Sequence, residues 1–388
     1  MSNALDAPSS LATEQGLCLR FRGDAKELAE GIGLAASVAP AKSTRPVLQN
    51  VLLHGHEGVL EATGTDMEVA IRVRMEQVEI LQDGKVLLNA NRIQQIVREL
   101  SGEQIELTSD DRGSCTITTG DARFTIMGEE PENFPEFETW PSEGSVFLRA
   151  PELVEMIRRT HFATHPEKTR YAMNGILLDL KDKRMHLVAT DGKRLAVCQR
   201  ELAFEVEKPT HVVVPTKGMT LLQRVIDPRE ETVEIVVKDA QVHVRTARAV
   251  ISARLVQGHF PPYEEVLPKD HDKLLKLPRE AFLSALRRAS LLTTKDSQAV
   301  RFGFSREGLE LTARVPEVGE SRVHFPLDFP YETLDIGFNP AYFTDALKVL
   351  DKAEFNLEVK DTRSAAVIRE EEPDGISLIY LVMPLNLG

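Results

Sequence analysis

DAKELAEGIGLAAS (24–37), PELVEMIRRTHFATH (151–165) and PREAFLSALRRASLLT (278–293) are three versions of one amphipathic helix, opening at intervals of 127 residues. A second helix pattern recurs between them as NANRIQQIVRELS (89–101), PTKGMTLLQRVID (215–227) and NPAYFTDALKVLD (339–351), at intervals of 126 and 124 residues. A period this long exceeds a solenoid repeat and matches whole domains. The chain therefore reads as three copies of one domain, with boundaries predicted at 16–143, 144–269 and 270–388 after a disordered tail over 1–15. Between the helices run alternating segments rich in β-branched residues, such as MNGILLDLKDKRMHLVATDGKRLAVCQ (173–199). Each copy is helix plus strands, twice over. That predicts an α+β fold in which two helices pack on antiparallel sheets.

Composition excludes several classes. No apolar run approaches the ~18 residues of a membrane span, and the first 15 residues lack the basic and apolar regions of a signal peptide. Cys18, Cys115 and Cys198 are few, distant and without a CxxC pair, which suits a reducing cytoplasm. The net charge of −13 argues against a nucleic-acid partner until its distribution is considered. The six helix segments hold 11 Lys and Arg against 10 Asp and Glu, so the acidity resides on strands and loops. Near-neutral helices leave room for local attraction to phosphate.

Comparison among the copies separates scaffold from site. Thr65-Asp66 recurs as Thr190-Asp191, and Phe134-Pro135 as Phe260-Pro261, so these are expected to be a hairpin turn and a strand exit. Gly192, Lys193, Arg194 and Leu195 stand where the first copy has Met67, Glu68, Val69 and Ala70. What one copy has alone is the better functional candidate. Catalytic motifs are missing: there is no GxxxxGK[ST] loop and no HExxH, and Gly31 and Gly33 lie in a helix pattern rather than after a strand. His54 and His56 share a strand face beside Glu57, and His161 and His165 have i, i+4 spacing, yet neither pair has an evident third ligand. No metal, cofactor or catalytic residue is expected. The competing readings are an enzyme centred on Asp191, Lys193 and Arg194, and a protein scaffold that does not bind DNA.

ATDGKRLAV (189–197), RPVLQNVLL (45–53), FPPYEEVLP (260–268) and the closing VMPL (382–385) resemble the bacterial β sliding clamps, over about Gly16 to Leu387. The resemblance implies a non-catalytic processivity factor of the replicative polymerase. It implies a head-to-tail homodimer whose twelve helices line a hole around double-stranded DNA. Twelve helices ~10 Å wide leave ~28 Å clear, whereas six leave ~9 Å, too narrow for a duplex. Weak phosphate contacts suit a ring that must slide. The candidates are Lys42, Arg158, Arg159, Arg170, Tyr171, Lys217, Arg224, Arg287 and Arg288. The partner pocket carried over comprises Met173, Thr190, Gly192, Lys193, Arg194, Leu195, Pro261, Val266, Leu381, Met383, Pro384 and Leu385. There, short peptides of polymerase, clamp loader and repair proteins would dock, and Arg194 would fix a peptide's polar end. Lys193, Glu265 and Asn386 depart from the family's common pattern and bear on peptide preference. Phe124, Ile126, Leu291 and Leu292 are the implied apolar heart of the dimer interface.

Overall fold

The computed structural model describes residues 18–387 apart from 101, 142–143, 168–170, 228, 269, 295–297, 317 and 372–374. One plan is used three times. An opening strand leads into a helix, a three-strand meander, a closing strand, a second helix and a second meander. The first repeat runs β1 (Arg20–Asp24), α1 (Ala25–Ala36), β2 (Asn50–His56), β3 (Val59–Thr65), β4 (Val69–Met75), β5 (Val78–Gln82), β6 (Gly84–Asn89), α2 (Ala90–Glu99), β7 (Gln104–Ser109), β8 (Ser114–Thr118) and β9 (Arg123–Met127). In the second come β10 (Val146–Arg149), α3 (Ala150–Arg158), β11 (Gly175–Lys181), β12 (Arg184–Thr190), β13 (Arg194–Glu201), β14 (Thr210–Pro215), α4 (Thr216–Val225), β15 (Thr232–Lys238), β16 (Gln241–Arg245) and β17 (Ala249–Arg254). The third has β18 (Lys273–Pro278), α5 (Arg279–Ala289), β19 (Val300–Ser305), β20 (Gly308–Val315), β21 (Gly319–Phe325), β22 (Leu334–Phe338), α6 (Pro340–Val349), β23 (Glu354–Val359), β24 (Ala366–Glu371) and β25 (Ser377–Val382). Among the described residues, only the first repeat has an extra strand, β5, which pairs with β1.

All six predicted helices form, and side chains visible in the sequence start three of them. Asp24 accepts hydrogen bonds from the Lys26 and Glu27 amides, Asn89 from the Arg92 amide and Asn339 from the Ala341 amide. Each such cap stabilises its helix by ~1 kcal/mol. Gly31 has a packing reason: a Cβ there would collide with Met75 Sδ on β4, so the helix can lie close to the sheet only without one. The i, i+4 helical spacing of His161 and His165 is not realised as a shared helix face. Helix α3 ends at Arg158, and the rings turn to local backbone, His161 Nδ1 to the Ile157 carbonyl and His165 Nδ1 to that of Glu167.

Two compact units divide the chain, one holding residues to Pro151 with Leu221–Leu255, the other Glu152–Thr220 with Val256 onward. The first unit contains a five-stranded sheet, β5-β1-β7-β8-β9, and an eight-stranded sheet, β10-β15-β16-β17-β4-β3-β2-β6. Within it α1 lies beside α2 and packs on β3 and β4. Leu28 and Ile32 are fully buried there, each contributing ~1.5–3 kcal/mol. The second unit contains the eight-stranded β14-β11-β12-β13-β25-β24-β23-β18 and the four-stranded β21-β20-β19-β22. Its third-repeat core is aromatic: Phe282 meets Phe302, Phe325 and Phe355 at centroid separations of 6.4, 5.5 and 5.6 Å.

The eight-stranded sheets are made by joining repeats edge to edge. Strand β17 of the second repeat pairs antiparallel with β4 of the first, and β25 of the third with β13 of the second. Strands β9, β17 and β25 hold the same place in the plan, as do β4, β13 and β21. Two of three such pairings are made within the chain. The unused members, β9 and β21, each end a sheet.

Candidate functional site

The turn between β12 and β13 is built by its own side chains. Thr190 Oγ1 accepts a hydrogen bond from the Gly192 amide at 3.0 Å and donates to the Arg194 carbonyl at 2.6 Å. Asp191 Oδ1 accepts from the Lys193 and Arg194 amides at 2.9 and 3.1 Å. The first repeat copies this network with Thr65 and Asp66, so the Thr-Asp pair is scaffold in both. The residue after Asp is left-handed in each, at φ 84° for Gly192 and 73° for Met67. Gly192 meets that conformation without a Cβ penalty and leaves the turn open. A Cβ added to it would stand 3.9 Å from Met173 Sδ.

Beside the turn lies the last strand. Leu195 is opposite Leu381 and Arg194 opposite Val382 in the β13–β25 register. The Met383 amide donates to the Lys193 carbonyl at 2.9 Å, and the Leu385 amide to the Gly337 carbonyl at 2.7 Å. The tail thereby runs from the β12–β13 turn to β22, in the four-stranded sheet. Leu195 and Leu381 belong to a buried cluster with Ala172, Leu177, Val188 and Tyr263, against which Phe260 and Leu267 pack. Burial, then Asp179 and Glu264, push the Tyr263 phenol up to about 12, so it stays neutral. Around this floor Met173, Pro261, Pro384 and Leu385 are partly exposed, and Val266 and Met383 more so, at 58% and 45%. Flexible Met and Leu side chains over a fixed floor form a surface that adapts to different apolar anchors.

Arg194 does not act as a free hook for a ligand. Its Nε meets Asp191 Oδ2 at 3.0 Å, Nη1 meets Asp345 Oδ2 of α6 at 2.9 Å, and Nη2 donates to the Phe162 carbonyl at 2.6 Å. The guanidinium lies 4.7 Å from the Tyr342 ring centroid. Burial works against its charge, but Tyr380, Asp345 and Asp191 outweigh it and hold its pKa above the ordinary value. Arg194 is a strut that ties the turn to α6. Of the three residues in the enzyme reading, Lys193 alone is exposed.

The basic candidates separate by burial. Lys42, Lys217, Arg224, Arg287 and Arg288 are exposed, and Tyr171 is half-exposed. Arg158 is half-buried, with Nη2 on Glu155 and Asp351 at 2.7 and 2.6 Å. Arg159 must be withdrawn as a DNA contact. It is 1% exposed, and its guanidinium meets Glu155, Glu370 (3.0 Å) and Asp351 (3.3 Å). A group so enclosed cannot reach a phosphate. Arg170 lies outside the described residues. Five helices carry a basic residue in the last turn, which adds Arg98 and Lys348, overlooked in the sequence. Such placement complements the helix dipole, and the recurring register of the second helices was the signal available.

Three domains of one plan, zipped edge to edge with an apolar seat beside the last strand, define a DNA-clamp architecture. Family models of the DNA polymerase III beta subunit match in order: the N-terminal domain over residues 19–138, the central domain over 148–262 and the C-terminal domain over 264–386. The beta sliding clamp of Pseudomonas putida is 32% identical over 369 residues, covering 95% of this chain and 100% of that protein. That of Escherichia coli K12 is 29% identical, with coverages of 95% and 100%. Among solved structures, the Bartonella birtlesii sliding clamp bound to griselimycin has a TM-score of 0.87 at 28% identity, covering 95% of this chain and all of that one, 100%. The Pseudomonas aeruginosa clamp bound to griselimycin scores 0.85 at 29% identity, with coverages of 95% and 100%. The chain belongs to the DNA polymerase III beta subunit family, the bacterial sliding clamps. It is a processivity factor of DNA replication.

Proposed function

We propose that two copies of this chain close head to tail around duplex DNA, and that partner peptides dock on the seat formed by Met173, Thr190, Gly192, Lys193, Leu195, Pro261, Val266, Leu381, Met383, Pro384 and Leu385, braced by Arg194. The pairing of repeats carries the reading. Because β17 joins β4 and β25 joins β13, the spare β9 of one copy is the natural partner of the spare β21 of another. The apolar pattern supports it. Phe124 and Ile126 lie opposite buried Ile117 and Cys115, so they extend a core face to an edge where Phe124 is still 36% exposed. Leu291, 77% exposed, and Leu292 sit in the 3-10 turn after α5, beside β21. The domains are taken as 16–143, 144–269 and 270–388.

Exposed Lys42, Lys217, Arg224, Arg287 and Arg288 are assigned to passing contacts with phosphate, together with Tyr171 and Arg170. The clamp performs no catalysis of its own, a reading supported by the use of Asp191 and Arg194 within the turn. It works in the cytoplasm; no disulfide joins its cysteines, and no helix among the described residues is long and apolar enough to cross a membrane.

Retention on DNA tests encirclement. Loaded protein should remain on a closed circle through gel filtration in high salt and run off once the circle is cut. Equal loss from both forms would refute it. The interface has its own test: Leu291→Ala with Leu292→Ala removes side chains whose burial contributes ~1.5–3 kcal/mol each. Sedimentation equilibrium should show monomers at concentrations where the parent is dimeric, and an undiminished dimer would exclude these residues.

A further inference from the structure

The outward face of the β2–β3 hairpin holds a ligand set that shares no residue with the proposed partner seat. A two-residue turn, Glu57-Gly58 at φ 48° and 77°, joins the strands with the paired left-handed residues of a type I′ hairpin. Alternation sends His54 and His56 to one face, and the register places Glu61 directly opposite His54 and one step diagonal from His56. One ligand atom from each of the three lies within 4.8 Å of the others, and all three residues are partly buried. His56 Nε2 is already 3.3 Å from Glu61 Oε2. With metal bonds of ~2.05 Å, a tetrahedral edge is ~3.3 Å, so small rotations of His54 and Glu61 complete three corners.

We propose that this hairpin binds one divalent transition-metal ion of the zinc class through His54, His56 and Glu61, with solvent at the fourth position. Two imidazoles and a carboxylate favour zinc, nickel or copper over magnesium and calcium, which prefer all-oxygen sites. Rigidity comes from the strands, and the two imidazoles stack with centroids 4.4 Å apart. Neighbouring cations set the strength. Arg72 Nε lies 3.6 Å from Glu61 Oε2, with its guanidinium over the Phe137 ring at 4.5 Å, and Lys85 pairs with His54 across β2 and β6. Arg72 competes with the ion for the carboxylate, and the Phe137 stack keeps a place for it when the oxygen is taken. The expected site is therefore weaker than a buried structural zinc site.

Calorimetric titration of the full-length protein with zinc chloride, with cobalt(II) absorption as a second readout, tests the proposal. One ion per chain should bind and raise the melting temperature, since the ion favours the folded state. His54→Gln with His56→Gln, and separately Glu61→Gln, should weaken binding by at least ~100-fold, beyond the ~10–100-fold typical of outer partners. Arg72→Gln should tighten it severalfold. A control pair, His186→Gln with His211→Gln, removes the looser grouping around Asp179, whose contacts are 3.9 and 3.2 Å; it should leave binding unchanged. Melts in chelator establish that the variants are folded. No zinc uptake by the parent protein, or undiminished uptake by a folded His54→Gln/His56→Gln variant, overturns the proposal.

Discussion

Arg159→Ala should destabilise the unit containing α3 and the third repeat by ~3–5 kcal/mol, the cost of breaking a buried ion pair from one side. The side chain is 1% exposed, and so nearly is its partner Glu370, at 3%. Truncation leaves the Glu370 carboxylate without its nearest cation. Removing both charges together, as Arg159→Leu with Glu370→Leu, should recover much of the loss, because apolar residues of similar volume avoid the desolvation cost. Urea unfolding of the three proteins checks both expectations. A loss below ~1 kcal/mol for the single variant, the range of exposed ion pairs, would contradict the assignment. The network also carries an acid limit. Burial raises the Glu155 pKa, but hydrogen bonds to Arg158 and Arg159 outweigh it and leave the pKa below its ordinary 4.5. A carboxylate so shifted contributes stability that is present above 4.5 and lost as pH falls through the lower folded value. Arg159→Ala should flatten that acid dependence.

Deleting residues 383–388 should remove most peptide binding while leaving the ring interface intact. Strand β25 ends at Val382, so the deletion spares every rung of its pairing with β13 and β24. It takes away Met383, Pro384 and Leu385, which border the buried floor of Leu195 and Leu381. Central apolar anchors commonly account for ~2 kcal/mol or more of binding, equivalent to ~30-fold in affinity. Calorimetry with a polymerase-derived peptide should register at least that loss, alongside an unchanged sedimentation profile. Peptide affinity within twofold of the parent would place the seat elsewhere. Arg194→Ala is expected to act differently. It would leave Asp191 and Asp345 facing one another across the vacated strut, so the turn should loosen and stability should fall along with affinity.

The helices and their repeat were legible because they depend on local order. Asp24, Asn89 and Asn339 sit next to the segments they cap, and amphipathic spacing does the rest. The Thr-Asp turn was equally local, each hydrogen bond reaching no farther than four residues. Arg159 was misread because its surroundings arrive from far along the chain. Asp351 and Glu370 lie 192 and 211 residues away, and neither is marked by a pattern near Arg159. The ties of Arg194 were illegible for the same reason, since Asp345 stands 151 residues downstream. Glu61 escaped notice as a third ligand because it faces His54 across a hairpin rather than following along one strand. Residues of the proposed partner seat were named from resemblance, but their burial depends on β25 returning to β13, which alternation does not specify.

The two spare edges, β9 and β21, hold unlike places in the repeat, and the proposed contact between them makes the chain a directional building block. A contact between unlike surfaces closes only when the rotation from copy to copy divides a full turn; otherwise addition continues and a filament grows. Closure then depends on the angle that the internal junctions β17–β4 and β25–β13 impose, as well as on the edges that meet. A substitution at either junction, outside β9 and β21 themselves, would leave the adhesive strength of the ends intact while altering the geometry of assembly. Rings would give way to open polymers built from the same contact.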